Sequence, residues 1–219
     1  MGFGFFSLLA LGCVLGIKHA VEPDHVAAVS AIAARSRRLL GAAMAGIFWG
    51  IGHSATLFAV GMALLWTRTE IPDRWALTLE FLAGAMIVFL GAGSLRSAMK
   101  RDGRDPVRSA AAETDGRLKT MLVGIVHGLA GSAALALLLM SLLDSAWQGA
   151  LFLLSFGTGT VIGMLAATTV IGLPFVLTAD KRRLNRRLVG LAGAASVLFG
   201  LFYMHEIGVK EGLIALWLR

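Results

Sequence analysis

Charged residues are scarce in this chain. Only 15% of the 219 residues are Asp, Glu, Lys or Arg, whereas soluble domains carry about 25%. Hydrophobic residues make up 57%, and the mean hydropathy is +0.78. This composition excludes an ordinary soluble domain and predicts that the lipid bilayer is the main partner of the protein.

Cysteine is almost absent, because Cys13 is the only one. A single thiol excludes an intrachain disulfide and a thiolate cluster, so a metal site must use nitrogen and oxygen ligands. The chain also lacks HExxH, Gly-x-Ser-x-Gly and the GxxxxGK[ST] pattern of ATP-binding loops. We therefore expect neither an enzyme nor a resident cofactor.

Long apolar runs dominate the rest of the sequence. A spanning helix needs about 20 mostly apolar residues, and six runs approach or exceed this length. They are residues 3–34 (with a polar interruption at 18–25), 39–67, 75–95, 120–143, 147–179 and 188–204. The sequence predicts an all-α polytopic membrane protein with about six transmembrane helices.

The net charge of +7 comes from basic residues clustered between these runs. With six spans, the clusters at 35–38, 96–119 and 181–187 all lie on one side of the membrane. Cytoplasmic segments carry such an excess, so both termini should face away from the cytoplasm. This placement does not resemble a nucleic-acid footprint, and we expect no nucleic-acid partner.

Short internal matches recur at nearly one spacing. Residues 82–91 (LAGAMIVFLG) match 191–200 (LAGAASVLFG) at six of ten positions, GIKHA (16–20) resembles GIVHG (124–128), and GIG (50–52) resembles GTG (157–159). The offsets are 109, 108 and 107 residues. We interpret the chain as two three-helix repeats, 1–99 and 120–219, joined by a cytoplasmic loop at 100–119. An odd number of spans per repeat inverts the second one, an architecture that recurs in transporters.

The polar interruption of the first run concentrates metal-ligating side chains. His19, Glu22, Asp24 and His25 lie within seven residues of one another in an apolar segment. A charge at the bilayer centre costs at least about 2.5–3.5 kcal/mol, so such a group indicates a functional site. Imidazole nitrogen and carboxylate oxygen suit divalent nickel, cobalt, zinc, manganese or iron. A structural polar network at a helix kink is the alternative.

Pro23 supplies a geometric argument for the same segment. Because proline has no N–H, the carbonyl of His19 loses its helical partner and becomes a further candidate ligand. The residue before proline is also steered away from the α region. We therefore expect the helix to break between His19 and Asp24. A broken helix can direct His19 and His25 to one point, whereas a continuous one would separate them by about 240°.

Further polar groups in the apolar runs are candidates for the same site. We expect His53 and His127 to join the metal ligands, with interhelical hydrogen bonds as the alternative role. Support from outside the ligand shell is expected from Lys18, Glu22, Ser54, Glu80, Thr158 and Thr160. Glu80 could instead extend towards the membrane surface, and Lys18 could simply balance the carboxylates.

The motif His19-x4-Asp24-His25 matches the HX4DH signature of the nickel/cobalt transporter (NiCoT) family. The longer string KHAVEPDHVAAVS, the Gly52-His53-Ser54 triplet and residues 126–132 (VHGLAGS) resemble the UreH-type branch of that family. The resemblance implies a permease for Ni²⁺ or Co²⁺ in the bacterial inner membrane, with both termini then in the periplasm. It also implies that His19, Asp24 and His25 are needed for transport.

We expect uptake of a divalent transition metal, held by His19, Asp24, His25, His53 and His127. One alternative is an exporter of metal or of a small solute with the same fold. Another is a membrane accessory factor for metalloenzyme maturation. The sequence leaves open whether the chain forms a homo-oligomer or binds a cytoplasmic metallochaperone.

Overall fold

Every regular element that the structure describes is helical. The computed structural model describes residues 4–36, 38–99, 110–142 and 145–218. Within these segments the α-helices are α1 (Phe5–His19), α2 (Pro23–Ala33), α3 (Leu39–Thr67), α4 (Asp73–Met99), α5 (Ala110–Leu142), α6 (Ala146–Leu177), α7 (Arg182–His205) and α8 (Leu213–Leu218). A π-helical turn, Glu206–Lys210, follows α7. The prediction of an all-α protein is confirmed.

Four helices in the described segments are long and apolar enough to cross a membrane: α3, α4, α6 and α7 with the turn after it. The pair α1 and α2 gives a fifth candidate, because it passes the same test as one span bent by 59°. The predicted run 120–143 lies in α5 as far as Leu142. The predicted count of six spans is therefore not confirmed, and the structure supports four or five.

The stretch predicted as a cytoplasmic loop is partly helical. α5 begins at Ala110, inside the stretch 100–119, so the helix extends beyond the apolar run. Residues 100–109 and Arg37, which entered the topology argument, lie outside the described residues.

The helix break predicted at Pro23 is confirmed. α1 ends at His19, and α2 begins at Pro23, where a missing N–H removes no helical hydrogen bond. Glu22 is extended, with φ −64° and ψ 152°, as expected for a residue before proline. The carbonyl of His19 accepts a hydrogen bond from the backbone N–H of Glu22 at 3.1 Å. That carbonyl, expected as a free ligand, is therefore satisfied locally.

Helix packing encloses this break. α3 packs against both α5 and α6, α1 packs against α6, and α4 packs against α7. The short helix α2 contacts α4, α6 and α7. Non-helical backbone at membrane depth is tolerated only where protein or a water-filled cavity covers it, and these contacts supply the cover.

Glycines allow the central helices to approach closely. Gly16 of α1 lies against the backbone carbonyl of Phe156 in α6, and Gly124 of α5 lies against that of Trp49 in α3. A Cβ atom at either glycine would overlap the facing oxygen. Small residues at such crossings are how membrane helices gain packing energy without a hydrophobic driving force.

We expect Gly124→Ala to destabilise the folded protein by about 1–3 kcal/mol, because α3 and α5 must separate to admit the methyl group. The midpoint temperature of thermal unfolding in detergent, followed by size-exclusion chromatography of the heated protein, measures this effect.

Gly190→Ala in α7 is the matched control. A Cβ there meets only the Ala98 Cβ, at an ordinary 3.6 Å, and alanine favours the helix more than glycine does. Its midpoint should stay the same or rise. An equal loss of stability in both variants would mean that the α3–α5 crossing is not limited by space at Gly124.

Candidate metal site

The break between α1 and α2 brings two histidines together. His19 is the last residue of α1, while Asp24 and His25 lie in the first turn of α2. The bend lets the rings of His19 and His25 meet edge to face, with 4.4 Å between their centroids. His25 is 1% exposed and the side chain of His19 17%, so the pair extends from a cavity wall into the protein interior.

Helices α3 and α5 supply two more histidines. Gly128 of α5 lies against the backbone of His53, where a Cβ would be 2.6 Å from its carbonyl oxygen. This close crossing leaves the His53 and His127 rings 5.9 Å apart. The ring of His25 is 5.1 Å from His53 and 4.4 Å from His127. Four imidazoles from four helices therefore form one cluster, and His53 and His127 are both buried.

One hydrogen-bonded chain runs from Glu22 through His19 to His53. The Oε2 of Glu22 is 2.8 Å from His19 Nδ1, and His19 Nε2 is 3.0 Å from His53 Nε2. A carboxylate only accepts, so His19 donates from Nδ1, and in a neutral ring its Nε2 carries a lone pair. His53 must then donate from Nε2, which leaves the lone pair of a neutral His53 on Nδ1.

A second arrangement centres on Asp24. Its Oδ1 lies 3.1 Å from His25 Nδ1, and its Oδ2 lies 2.9 Å from His127 Nε2. With an ionised Asp24, both rings donate to the carboxylate. Neutral His25 then has its lone pair on Nε2, and neutral His127 has its lone pair on Nδ1.

Three buried nitrogens lack a hydrogen-bond partner among the described residues: His25 Nε2, His53 Nδ1 and His127 Nδ1. These are the same atoms that the two carboxylates leave with lone pairs. Buried acceptors without partners are costly, and neutral imidazole nitrogen is a common metal ligand. The donors therefore fit a divalent transition metal, and the carboxylates orient the rings as carboxylates do beside metal-binding histidines.

The spacing of the donors also fits an ion. Two sets of three, His19–His25–His53 and Asp24–His25–His127, each offer ligand atoms within 4.8 Å of one another. Adjacent ligands at right angles on an ion with bonds of about 2.1 Å lie about 3.0 Å apart. The two Nε2 atoms of His19 and His53 have this separation.

A cavity of about 340 Å³ leads to the cluster. Besides the histidines and Asp24, its polar lining consists of Lys18, Glu22, Glu80 and Tyr203. Tyr203 was not expected from the sequence, and no pattern around this single tyrosine marks it. A polar cavity of this size holds several water molecules and can therefore admit a hydrated ion.

Trp49 was also not expected from the sequence. Its fully buried indole stacks on the His25 ring at 5.8 Å and 14° and meets the His127 ring edge-on at 5.7 Å. The sequence offered one signal, because Trp49 precedes His53 by one helical turn and so lies on the same face of α3.

The hydroxyl groups predicted to support the site form helix contacts instead. Ser54 donates to the carbonyl of Gly157 at 3.1 Å and so joins α3 to α6. Thr158 is exposed and Thr160 is buried, and each donates to the carbonyl four residues before it in α6. None of the three lines the cavity.

Comparison with known proteins gives two family matches. Residues 5–101, which contain the helix break and His53, match the model of the NicO family, described as high-affinity nickel-transport protein. Residues 78–202 match the model of the cytochrome C biogenesis protein transmembrane region. No solved structure matches the chain.

Three relatives extend the comparison over most of the chain. The urease accessory protein UreH of Bacillus sp. (strain TB-90) is 45% identical over 97% of both chains. Two Arabidopsis thaliana proteins, chloroplast protein FOR GROWTH AND FERTILITY 2 and 1, are 29% and 26% identical over 90% of this chain. The chain spans only 54% and 59% of their lengths.

The match to UreH covers nearly all of both proteins, and the NicO match covers the half that carries HX4DH. The apolar helices are long enough to cross a bilayer. The chain is therefore an integral membrane protein of the nickel/cobalt transporter family, UreH-type branch, and over residues 78–202 it also belongs to the cytochrome C biogenesis transmembrane family.

Proposed function

We propose that the protein is a permease that carries a divalent transition-metal cation, Ni²⁺ or Co²⁺, into the bacterial cytoplasm across the inner membrane. The observation that carries this proposal is the convergence of four imidazoles and Asp24 at the end of a polar cavity within a bundle of apolar helices. His19, Asp24, His25, His53 and His127 are the ligands of the ion, and no resident cofactor takes part.

The identity of the cation rests on chemistry and on kinship. Imidazole and carboxylate ligands suit nickel and cobalt among the divalent metals. The NicO family is described as a high-affinity nickel-transport family, and that description favours nickel for this chain.

The shape of the cavity supports uptake from the periplasm. Glu80 lies near the start of α4 and Tyr203 near the end of α7, so both lie far from the basic segments at 96–119 and 181–187. If those segments are cytoplasmic and both termini periplasmic, the cavity opens to the periplasm. An inward-moving divalent cation gains about 4.6 kcal/mol at a potential of 100 mV, which supplies a driving force without ATP.

The cytoplasmic side of the cluster is closed by packed side chains. Trp49 lies one turn of α3 nearer the basic segment at 35–38 than His53 does. It packs with Ala28, Ile87 and Met164, all of them buried. These groups form the barrier that must open before the ion can leave.

Pairs of contacts support two inverted three-helix repeats with six spans. Gly16 meets the carbonyl of Phe156 and Gly124 that of Trp49, and the two pairs are related by offsets of 108 and 107 residues. The same relation links the contact of Gly159 with the carbonyl of Cys13 to the contact of Gly52 with the carbonyl of Met121. In this interpretation α1 with α2 corresponds to α5, α3 to α6 and α4 to α7. Rocking of the two halves would expose the cluster to each side in turn.

A role in urease maturation is the second candidate function, because the relative with 45% identity is named a urease accessory protein. The two roles are compatible if this chain supplies metal to a maturation pathway. Export of metal or of a small solute gains no support from a cavity that opens on the periplasmic side.

Purified protein in liposomes should carry Ni²⁺ or Co²⁺ inward when the interior is negative, and His25→Gln should lower this flux by more than about tenfold. Glutamine fills a similar space but is a poor ligand for these ions. Uptake of each metal, measured with a trapped fluorescent chelator, tests the prediction.

His205→Gln is the matched control, since His205 is exposed at the end of α7 and outside the cluster. Its flux should equal that of the unchanged protein. Absence of flux for every metal would contradict the transport function. Equal flux in the His25 and His205 variants would contradict the site.

The direction in which the cavity opens can be tested by thiol labelling. In a Cys13→Ala background, Gly131→Cys carries its Cβ about 4 Å from the His19 ring, so its sulfur lies in the cavity. A membrane-impermeant thiol reagent added outside cells should label it, and Ni²⁺ should slow the reaction.

Gly190→Cys in the same background is the control, because Gly190 lies beside Arg186 and Arg187 near the basic end of α7. It should react only after the membrane is permeabilised. Labelling of Gly190→Cys from outside, with Gly131→Cys protected, would reverse the proposed orientation.

A further inference from the structure

The five proposed ligands divide into two sets that share one residue. One set is His19, His25 and His53, and the other is Asp24, His25 and His127. No set that joins all five at the same spacing exists among the residues that the structure describes. The ring of His25 lies between the sets, 4.4 Å from the rings of both His19 and His127.

The dimensions of an ion separate the two sets. Ligands on opposite sides of an ion with bonds of about 2.1 Å are about 4.2 Å apart, so one set of three matches one coordination shell. The two nitrogens of His25 also point away from each other, and a single ion cannot use both. Nδ1 faces Asp24, which leaves the unpartnered Nε2 for the set with His19 and His53.

We propose that the cluster holds the cation in two successive positions, which share the ring of His25. The first position is formed by His19, His25 and His53, and the second by Asp24, His25 and His127. This inference rests on the proposed transport function and describes the path of the ion within the same site.

The order of the positions follows from their surroundings. His19 borders the cavity and lies 5.4 Å from Phe156, on the side of the proposed periplasmic opening. His127 lies against Trp49 of the closed cytoplasmic side. An ion that arrives through the cavity therefore meets the first position before the second.

Only one position is occupied at a time. Two divalent cations on either side of one imidazole would repel each other strongly within a buried site. Transfer exchanges the Nε2 ligand of His25 for its Nδ1, and His25 needs to release the first position only when the second accepts the ion.

The test compares His53→Gln, which removes a ligand of the first position, with His127→Gln, which removes one of the second. Equilibrium binding of Co²⁺ to the purified full chain in detergent, together with the visible d–d spectrum, reports occupancy and ligand geometry. Each variant should still bind one ion within about tenfold of the original affinity, with a spectrum different from that of the other. The double variant and His25→Gln should lose binding.

Flux separates the two-position model from simple redundancy. Although each single variant binds an ion, each should transport Co²⁺ more than about tenfold slower, because one step of the path is missing. His205→Gln should match the unchanged protein in both assays, and an unchanged elution profile in size-exclusion chromatography excludes misfolding.

A single five-ligand site predicts a different result. His53→Gln and His127→Gln would then weaken binding equally and give the same spectrum, which would overturn the two-position proposal while flux through the unchanged protein left the transport function intact. Loss of all flux in the unchanged protein, with binding as described above, would instead remove the transport function and leave two binding positions.

Discussion

The missing N–H of Pro23 is the constraint on which the site depends. It ends α1 at His19 and starts α2 at Pro23, so two histidines that a straight helix would separate instead meet at 4.4 Å. The same break exposes Glu22 and Asp24 to a cavity rather than to lipid. Each carboxylate then accepts N–H groups from imidazoles and thereby decides which ring nitrogens keep lone pairs.

Close packing at glycines completes the cluster. Gly124 and Gly128 allow α5 to approach α3 at the level of Trp49 and His53, and this contact directs His127 to Asp24. Membrane helices have no hydrophobic force to draw them together, so both the stability of the bundle and the geometry of the donors depend on these backbone contacts. A larger residue at one glycine would therefore disturb both.

The sequence predicted the parts of the site that obey local rules. Proline chemistry alone predicted the break, and the cost of burying polar groups identified the four histidines of the cluster. Depth and helix face were harder to predict. Thr158 and Thr160 correspond to cluster positions in the repeat alignment, yet their hydroxyls bond within α6, because an approximate repeat does not conserve which groups face the cavity. Trp49 and Tyr203 contribute through tertiary packing, which one sequence does not reveal. The start of α5 at Ala110 likewise exceeds the apolar run, since a helix can continue beyond the bilayer.

X-ray absorption spectroscopy of the Ni²⁺-loaded protein in detergent tests the central claim most directly, because it reports the atoms that surround the metal. The structure predicts nitrogen and oxygen ligands at about 2.1 Å, with the outer-shell scattering of at least two imidazole rings. A shell of water oxygens without imidazole scattering would contradict the view that these buried histidines capture the ion.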